Sequence, residues 1–169
     1  SVRAGSREGK APVVLPAAQH LLYPALLEIL LRSGPSRGVH LAVDSKLASI
    51  FDPEDAMKVQ TRGEEIVTLG KELREYDAID TGLFVCDVAL FEHLERAREK
   101  SGGDCSLADG VRPLAAEGMA RAIDTAEAWW QDVDTPDILA AAEEDLTARV
   151  ESAESFQSAP PLGHVQPQE

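Results

Sequence analysis

The sequence predicts a layered α/β domain whose sheet is largely parallel, with some antiparallel pairing. Short apolar runs bounded by glycine, proline and polar residues alternate with segments that have the periodicity of amphipathic helices. A predicted hairpin interrupts this alternation and supplies the antiparallel part. The chain has 169 residues, of which 44% are hydrophobic, so it is long enough and apolar enough to bury a core.

The first half of the chain is predicted to form one helix and a series of short strands. The strands lie at residues 13–15, 39–43, 57–61 and 65–69, and the helix at residues 24–32. Four leucines between positions 26 and 31 form one apolar stripe on this helix, and Gly34 ends it. The last two strands flank the triplet Arg62-Gly63-Glu64, which indicates a hairpin turn.

The second half contains the strongest strand pattern, residues 78–86, and three helix patterns. Asp87 is a natural N-cap for the helix that follows this strand, and we expect His93 on that helix to lie at the surface. Ser106 begins the next helix, with Asp109 in the capping-box position. A short strand at residues 120–123, an extended segment at 130–134 and a helix at 136–150 complete the pattern.

Both ends of the chain lack this periodicity. Residues 1–12 are polar and glycine-bearing, and residues 151–169 are polar and proline-containing, so we expect both segments to be disordered. The folded domain is then predicted to span residues 13–150.

The charge balance excludes some partners. The chain carries 30 acidic and 16 basic residues, for a net charge of -14, and such a surface repels nucleic acid. The longest apolar segment, residues 21–31, contains Glu28 and is too short to span a bilayer. Cys86 and Cys105 show no zinc or disulfide spacing, so two free thiols and a cytoplasmic location are expected.

The Trp129-Trp130 segment is the most informative local pattern. If residues 130–134 are extended, Trp130, Asp132 and Asp134 share one face, since side chains alternate along a strand. Two acids at the end of a strand suit a divalent cation. The structural alternative is that Asp134 or Thr135 caps the following helix, while Asp132 is either a ligand or a surface acid.

Four phrases, taken in order, resemble the nucleotidyltransferase superfamily, and most closely its inositol-1-phosphate cytidylyltransferase-like group. They are GKEL at residues 70–73, YDAIDTGLF at 76–84, CSLADGV at 105–111 and WQDVDTP at 130–136. The resemblance implies a three-layer, Rossmann-like mixed sheet of the nucleotide-diphospho-sugar transferase type, with its N-terminal part lacking. It also implies that the chain is a fragment of a longer enzyme or a truncated product, whose open sheet edge would favour poor solubility or a homodimer.

The resemblance further implies a reaction in which an acceptor phosphate attacks the α-phosphorus of a nucleoside triphosphate and releases pyrophosphate. CTP is the favoured donor, and a phosphorylated sugar or an inositol-like polyol is the acceptor. Lys71 matches the lysine that grips the acceptor phosphate, and Asp132 matches the acid that holds Mg²⁺. Asp80, Thr81 and Gly82 match the segment that lines the acceptor pocket. From the residues alone, a solvated lysine at a hairpin end is the favoured interpretation of Lys71, and a bulge explains Gly82 as well as a ligand site does.

Two departures from the family pattern support a different class of function. The glycine-rich loop that cradles the triphosphate has no counterpart, and Gln19 stands where the family has a second metal-binding aspartate. A non-catalytic relative that keeps the scaffold for binding or assembly is therefore the alternative hypothesis. Retention of Lys71, Gly82 and Asp132 together favours the transferase. A purely architectural likeness is the third interpretation, because a fold does not determine a function.

Overall fold

Strands and helices alternate along the part of the chain that the computed structural model describes, residues 12–34, 37–50 and 52–157. In chain order the elements are β1 (Val13–Pro16), β2 (His20–Leu22), α1 (Pro24–Ser33), β3 (Val39–Asp44), β4 (Lys58–Arg62), β5 (Glu65–Gly70), β6 (Ala78–Cys86), α2 (Val88–Ser101), α3 (Leu107–Ala116), β7 (Ala120–Asp124), β8 (Trp130–Asp132) and α4 (Pro136–Gln157). Within these ranges, none of the helices combines the length and apolar character that a membrane span requires.

Most predicted elements are confirmed, and β6 coincides with its predicted range residue for residue. The last helix is longer than expected, because α4 continues to Gln157 instead of ending at residue 150. Residues 151–157 are therefore helical, whereas residues 1–11 and 158–169 lie outside the described part of the chain. The chain divides into two compact units, Ser1–Asp132 and Val133–Glu169.

Neighbouring strands of the main sheet are mostly antiparallel, so the prediction of a largely parallel sheet is wrong. The strand order is β1-β6-β3-β7-β5-β4, and β4 also pairs with the start of β6. Among these pairs only β3 and β7 are parallel. One helix, α1, connects β1 to β3 and leaves them parallel, but β6 lies between them. Two helices, α2 and α3, connect β6 to β7. Each helix reverses the direction of the chain, so β7 runs antiparallel to β6.

Helices cover both faces of this sheet, which confirms the predicted three-layer α/β arrangement. Side chains alternate along the strands, so Leu41 and Phe84 join one core cluster while Ala42 and Leu83 join the other. The first cluster includes residues of α2 and α3, and the second includes Leu26 and other residues of α1. Each fully buried leucine contributes roughly 1.5–3 kcal/mol to stability by leaving water.

Local capping chemistry sets the helix starts as predicted. The Asp87 carboxylate accepts a hydrogen bond from the Ala89 amide at 2.8 Å, and Ser106 and Asp109 form the capping box.

The prediction that His93 lies at the surface is wrong: it is only 8% exposed, and its Nε2 lies 3.5 Å from Glu117. The side chain is buried because α3 packs on α2. On α2 alone, His93 would be exposed to water.

The packing of α2 on α3 depends on the absence of a side chain at Gly110. A Cβ placed there would lie 2.6 Å from Leu94 Cγ and 3.1 Å from Leu90 Cδ1. In an exposed helix, alanine is about 1 kcal/mol more favourable than glycine. Here overpacking exceeds that gain, since an extra carbon in a packed interface typically costs 1–3 kcal/mol.

We therefore expect Gly110→Ala to lower the free energy of unfolding, measured by urea denaturation, by roughly 1–2 kcal/mol. The matched variant is Leu94→Ala, which removes the side chain that a new Cβ would meet. The double variant should lose less stability than the sum of the two single changes, because each change makes room for the other. Strict additivity, or stabilisation by Gly110→Ala alone, would contradict this account of the interface.

Candidate functional site

The site predicted from Asp80, Thr81 and Gly82 lies at a bulge in β6. In the β3–β6 ladder Leu41 pairs with Phe84 and Val43 pairs with Asp80, so three residues of β6 stand opposite one residue of β3. The fully buried Thr81 hydroxyl donates to the Ala42 carbonyl at 2.9 Å. The Thr81 side chain thus fastens the bulge to β3. The structure therefore confirms the interpretation of this segment as a β-bulge.

Gly82 brings the turn between β1 and β2 against the bulge. Its φ is +75°, a left-handed conformation that side chains other than glycine rarely adopt. A Cβ there would lie 2.8 Å from Ala17 Cβ and 2.9 Å from two ring carbons of His20. The Ala17 amide also donates to the Gly82 carbonyl at 2.7 Å. The close approach that Gly82 permits is therefore that of the protein's own turn, which places His20 on β6.

Asp132 lies beside His20, in the two-stranded ladder of β2 and β8. His20 pairs with Asp132 in this ladder, and its Nδ1 lies 3.9 Å from Asp132 Oδ1. Nδ1 is buried and has no hydrogen-bond partner among the described residues, and the imidazole stacks on Trp130 with ring centroids 5.8 Å apart. Burial lowers the pKa of His20, against the opposing charge of Asp132. β8 ends at Asp132, so Asp134 is not part of the strand, and Thr135 accepts the capping bond of α4 from the Ile138 amide.

Asp44 connects this ladder to the main sheet, a role that the sequence did not indicate. It is the last residue of β3, it is buried, and its Oδ2 accepts a hydrogen bond from Trp130 Nε1 at 2.9 Å. The backbone amide and the ammonium of Lys46 contact its other oxygen at 2.8 and 2.9 Å. Burial alone would raise the pKa of Asp44, but these hydrogen bonds outweigh burial and lower it. The sequence shows only that Asp44 lies at the end of a predicted strand, and it does not identify Trp130 as its partner.

Asp80 and Asp132 concentrate negative charge at this end of the sheet. Burial raises the pKa of Asp80 to about 7, the hydrogen bond from the Gly82 amide opposes the rise, and the charge of Asp132 adds to it. The side chain of Asp132 is 46% exposed, so it is open to a ligand. No three acidic, histidine or cysteine residues in the described ranges are arranged as a metal cage. Two carboxylates that repel each other nevertheless fit Mg²⁺, which usually keeps waters and phosphate oxygens as its other ligands.

Lys71 follows β5 at the same end of the sheet, without contacting Asp132. Gly70 pairs with Lys58 on β4, and Lys58 pairs with Ile79, the residue before Asp80. The Lys71 ammonium lies 2.7 Å from the Asp55 carboxylate, and both side chains are about half exposed or more. The structure thus brings Gly82 and Asp132 against His20, with Asp80 close enough to Asp132 for their charges to interact, and it places Lys71 two strands away.

Sequence relatives match most of the length of this chain. A "Bifunctional IPC transferase and DIPP synthase" from Rubrobacter xylanophilus is 38% identical over 146 residues, which is 85% of this chain and 32% of the relative. A protein of the same name from Aquifex aeolicus is 31% identical over 133 residues, 79% of this chain and 28% of the relative. The chain therefore spans about a third of the length of these relatives. No protein-family model matches it.

A solved structure supports the fold independently. The inositol-1-phosphate CTP transferase from T. maritima superposes with a TM-score of 0.71, covering 88% of this chain and 60% of that protein. Sequence identity over the superposition is 24%, so this likeness concerns the fold.

The raised pKa of Asp80 makes stability depend on pH. In the unfolded chain this carboxyl ionises near pH 3.8, and in the folded protein near pH 7, so the folded state binds the extra proton between these values. The free energy of unfolding contributed by Asp80 is therefore present at low pH and falls as the pH rises from about 4 to about 7. Asp80→Asn keeps the acceptor for the Gly82 amide and removes the ionisation.

We expect Asp80→Asn to gain stability relative to the native chain as the pH rises through this window, by an amount on the order of a few kcal/mol. Urea denaturation at intervals between pH 4 and pH 8 measures the difference. A difference between the two proteins that stays constant with pH would show that Asp80 ionises normally in the fold.

Three findings converge on one assignment. The sheet has the nucleotide-diphospho-sugar transferase architecture. The motifs around Lys71, Asp80 and Asp132 occur in the order that the resemblance predicts, and the relatives match most of the chain at above 30% identity. The chain therefore belongs to the nucleotidyltransferase superfamily, of whose domain it covers a part.

Proposed function

We propose that this chain carries the acceptor-binding part of a nucleotidyltransferase that transfers CMP from CTP to an inositol phosphate or a similar phosphorylated polyol. The observation that carries the proposal is the contact of Gly82 and Asp132 with His20 and the charge interaction of Asp132 with Asp80, at the sheet end where Lys71 follows β5. The T. maritima protein of the same fold is named as an inositol-1-phosphate CTP transferase, which supports this donor and acceptor.

Lys71 is the residue proposed to bind the acceptor phosphate. Its ion pair with Asp55 involves two largely solvated groups, and such surface pairs contribute only about 0–1 kcal/mol. A phosphate ester carries up to two negative charges and three acceptor oxygens, so it competes well with a single solvated carboxylate. Binding of the acceptor would transfer the Lys71 ammonium from Asp55 to the phosphate.

Asp132 is proposed to hold a divalent cation, Mg²⁺, with Asp80 as the neighbouring carboxylate. When bound, such a cation supplies charge neutralisation for the phosphates of the donor. The residues of this chain keep Asp132 in place, since the stack of His20 on Trp130 and the Trp130–Asp44 hydrogen bond fix β8. A rigid ladder is useful here because transfer between two anions depends on their positions.

In the proposed reaction an acceptor phosphate oxygen attacks the α-phosphorus of CTP in line. The bond from that phosphorus to the bridging oxygen breaks, and pyrophosphate leaves with the bonding electrons. The chain contributes binding and orientation of the acceptor. The binding of the triphosphate is not assigned to residues of this chain, because the family's glycine-rich loop has no counterpart in its sequence.

One observation favours the second candidate, a non-catalytic binding domain. Gln19 lies exposed in the turn directly before His20, at the position where the family has its other metal-binding aspartate. A neutral amide adds no charge to a cation site and binds the metal more weakly. Screening pyrophosphate release from the four nucleoside triphosphates with a panel of phosphorylated polyols separates the candidates. Turnover supports the transferase, and binding of inositol 1-phosphate without turnover supports the binding domain.

The cytoplasmic location and the homodimer stay predictions. Among the described residues β1 pairs only with β6, so its other edge has no strand beside it. That open edge is the feature that favours association of two copies.

Acceptor binding is tested by ligand-linked stabilisation. Inositol 1-phosphate at millimolar concentration should raise the melting temperature of the native chain by a few degrees, because it binds only the folded state. Lys71→Ala should abolish most of that rise while leaving the melting temperature without ligand nearly unchanged. Lys100→Ala, a change of equal charge at the end of α2, is the matched control. An equal rise in the native chain and Lys71→Ala would remove Lys71 from the acceptor site.

The cation site is tested by two substitutions with opposite expected effects. Asp132→Asn removes a charged ligand and should weaken Mg²⁺ binding at least about tenfold, whereas Gln19→Asp adds one and should strengthen it. The tryptophan fluorescence of the chain, to which Trp130 contributes from its stack on His20 beside the site, provides the titration signal. Glu143→Gln on α4 is the control for a general loss of negative charge. Unchanged Mg²⁺ affinity in Asp132→Asn would exclude this residue as a ligand.

A further inference from the structure

Lys58 is a buried cation that has no carboxylate partner in the part of the chain that the structure describes. It is only 9% exposed, at the start of β4. Its ammonium donates to the carbonyl oxygens of Glu54 at 3.0 Å and of Lys71 at 2.6 Å, and it lies 5.8 Å from the centre of the Tyr76 ring. Among the residues that the structure describes, no acid lies within ion-pair distance of Lys58.

Such a group is unusual in a protein that has far more acids than bases. Lysine is rarely buried unless it is paired, because removing its ammonium from water is costly. Two carbonyl dipoles and an aromatic face offset part of that cost, but they are neutral groups. The positive charge is therefore not cancelled, and it remains available to attract an anion at the nearby surface.

The two carbonyls that Lys58 binds belong to the two loops that carry the Lys71–Asp55 ion pair. One carbonyl is that of Lys71 itself, and the other is that of Glu54, the residue before Asp55. One ammonium thus fixes the backbone beneath both partners of the ion pair. Lys58 also pairs across the ladder with Ile79, so this arrangement is attached to the strand that carries Asp80.

We propose that Lys58 is a positioning residue for the acceptor phosphate, acting through Lys71. By binding the Lys71 carbonyl, Lys58 fixes the backbone position from which the Lys71 side chain extends. The positive charge of Lys58 also attracts a phosphate group, with up to two negative charges, more strongly than it attracts the single carboxylate of Asp55. The inference rests on the proposed function, because it requires that Lys71 binds the acceptor. It assigns a role to a lysine that makes no direct contact with the ligand.

The test measures the affinity of the full chain for inositol 1-phosphate by isothermal titration calorimetry, well below the melting temperature of every variant. Lys58→Met keeps the length of the side chain and removes its charge and donors, and it should raise Kd about tenfold. Lys58→Arg keeps the charge and the donors, and should stay within about threefold of the native Kd. Lys100→Met, on the surface of α2, carries the same change in net charge and should leave Kd unchanged.

The outcomes separate this inference from the proposed function. If Lys71→Ala loses binding while Lys58→Met binds as the native chain does, the role of Lys58 is overturned and that of Lys71 stands. A lower melting temperature of Lys58→Met with an unchanged Kd has the same meaning, since it shows a structural role alone. If the native chain does not bind inositol 1-phosphate, or Lys71→Ala binds equally well, both proposals fall. Should Lys58→Met fail to fold, Lys58→Gln, which keeps a donor without charge, takes its place with the same expected loss of affinity.

Discussion

The absence of a side chain at Gly82 is the constraint on which the site depends. Because the space beside its α-carbon is free, the turn after β1 can lie against the bulge of β6 and bring His20 with it. His20 then pairs with Asp132 and stacks on Trp130, whose indole nitrogen donates a hydrogen bond to Asp44 at the end of β3. A side chain at this one position would displace the turn and, with it, the ladder that carries Asp132.

The electrostatics of this end of the sheet follow from an unequal distribution of charge. The protein as a whole is strongly acidic, and Asp80 and Asp132 place two carboxylates close enough for the charge of one to raise the pKa of the other. On the neighbouring strands, the described contacts of the Lys58 ammonium are with two carbonyl oxygens and an aromatic ring, and the Lys71 ammonium pairs with the solvated carboxylate of Asp55. In the proposed function the cation binds beside Asp132 and the acceptor phosphate binds at Lys71, an arrangement that suits a transfer between two anions.

The sequence predicted the elements that depend on local chemistry. The caps at Asp87 and Ser106, the hairpin around Gly63 and the limits of β6 follow from side-chain spacing and turn residues, which act over a few positions. It did not predict the strand directions, since these depend on how many helices lie between two strands and on which strand inserts between them. The burial of His93 was missed for a similar reason, because the face that buries it belongs to α3.

The sequence by itself determined that an acidic α/β domain would place Lys71, the Asp80–Gly82 segment and Asp132 in the order that the nucleotidyltransferase superfamily uses. Only the tertiary structure decided which of these residues meet, because contacts between positions far apart in the sequence, such as Gly82 with His20 and Asp132 with His20, depend on strand register. It also decided the roles of Asp44 and Lys58, since a buried acid and a buried lysine look like surface residues in a sequence. Their partners, Trp130 and the Lys71 carbonyl, are brought to them only by the folded sheet.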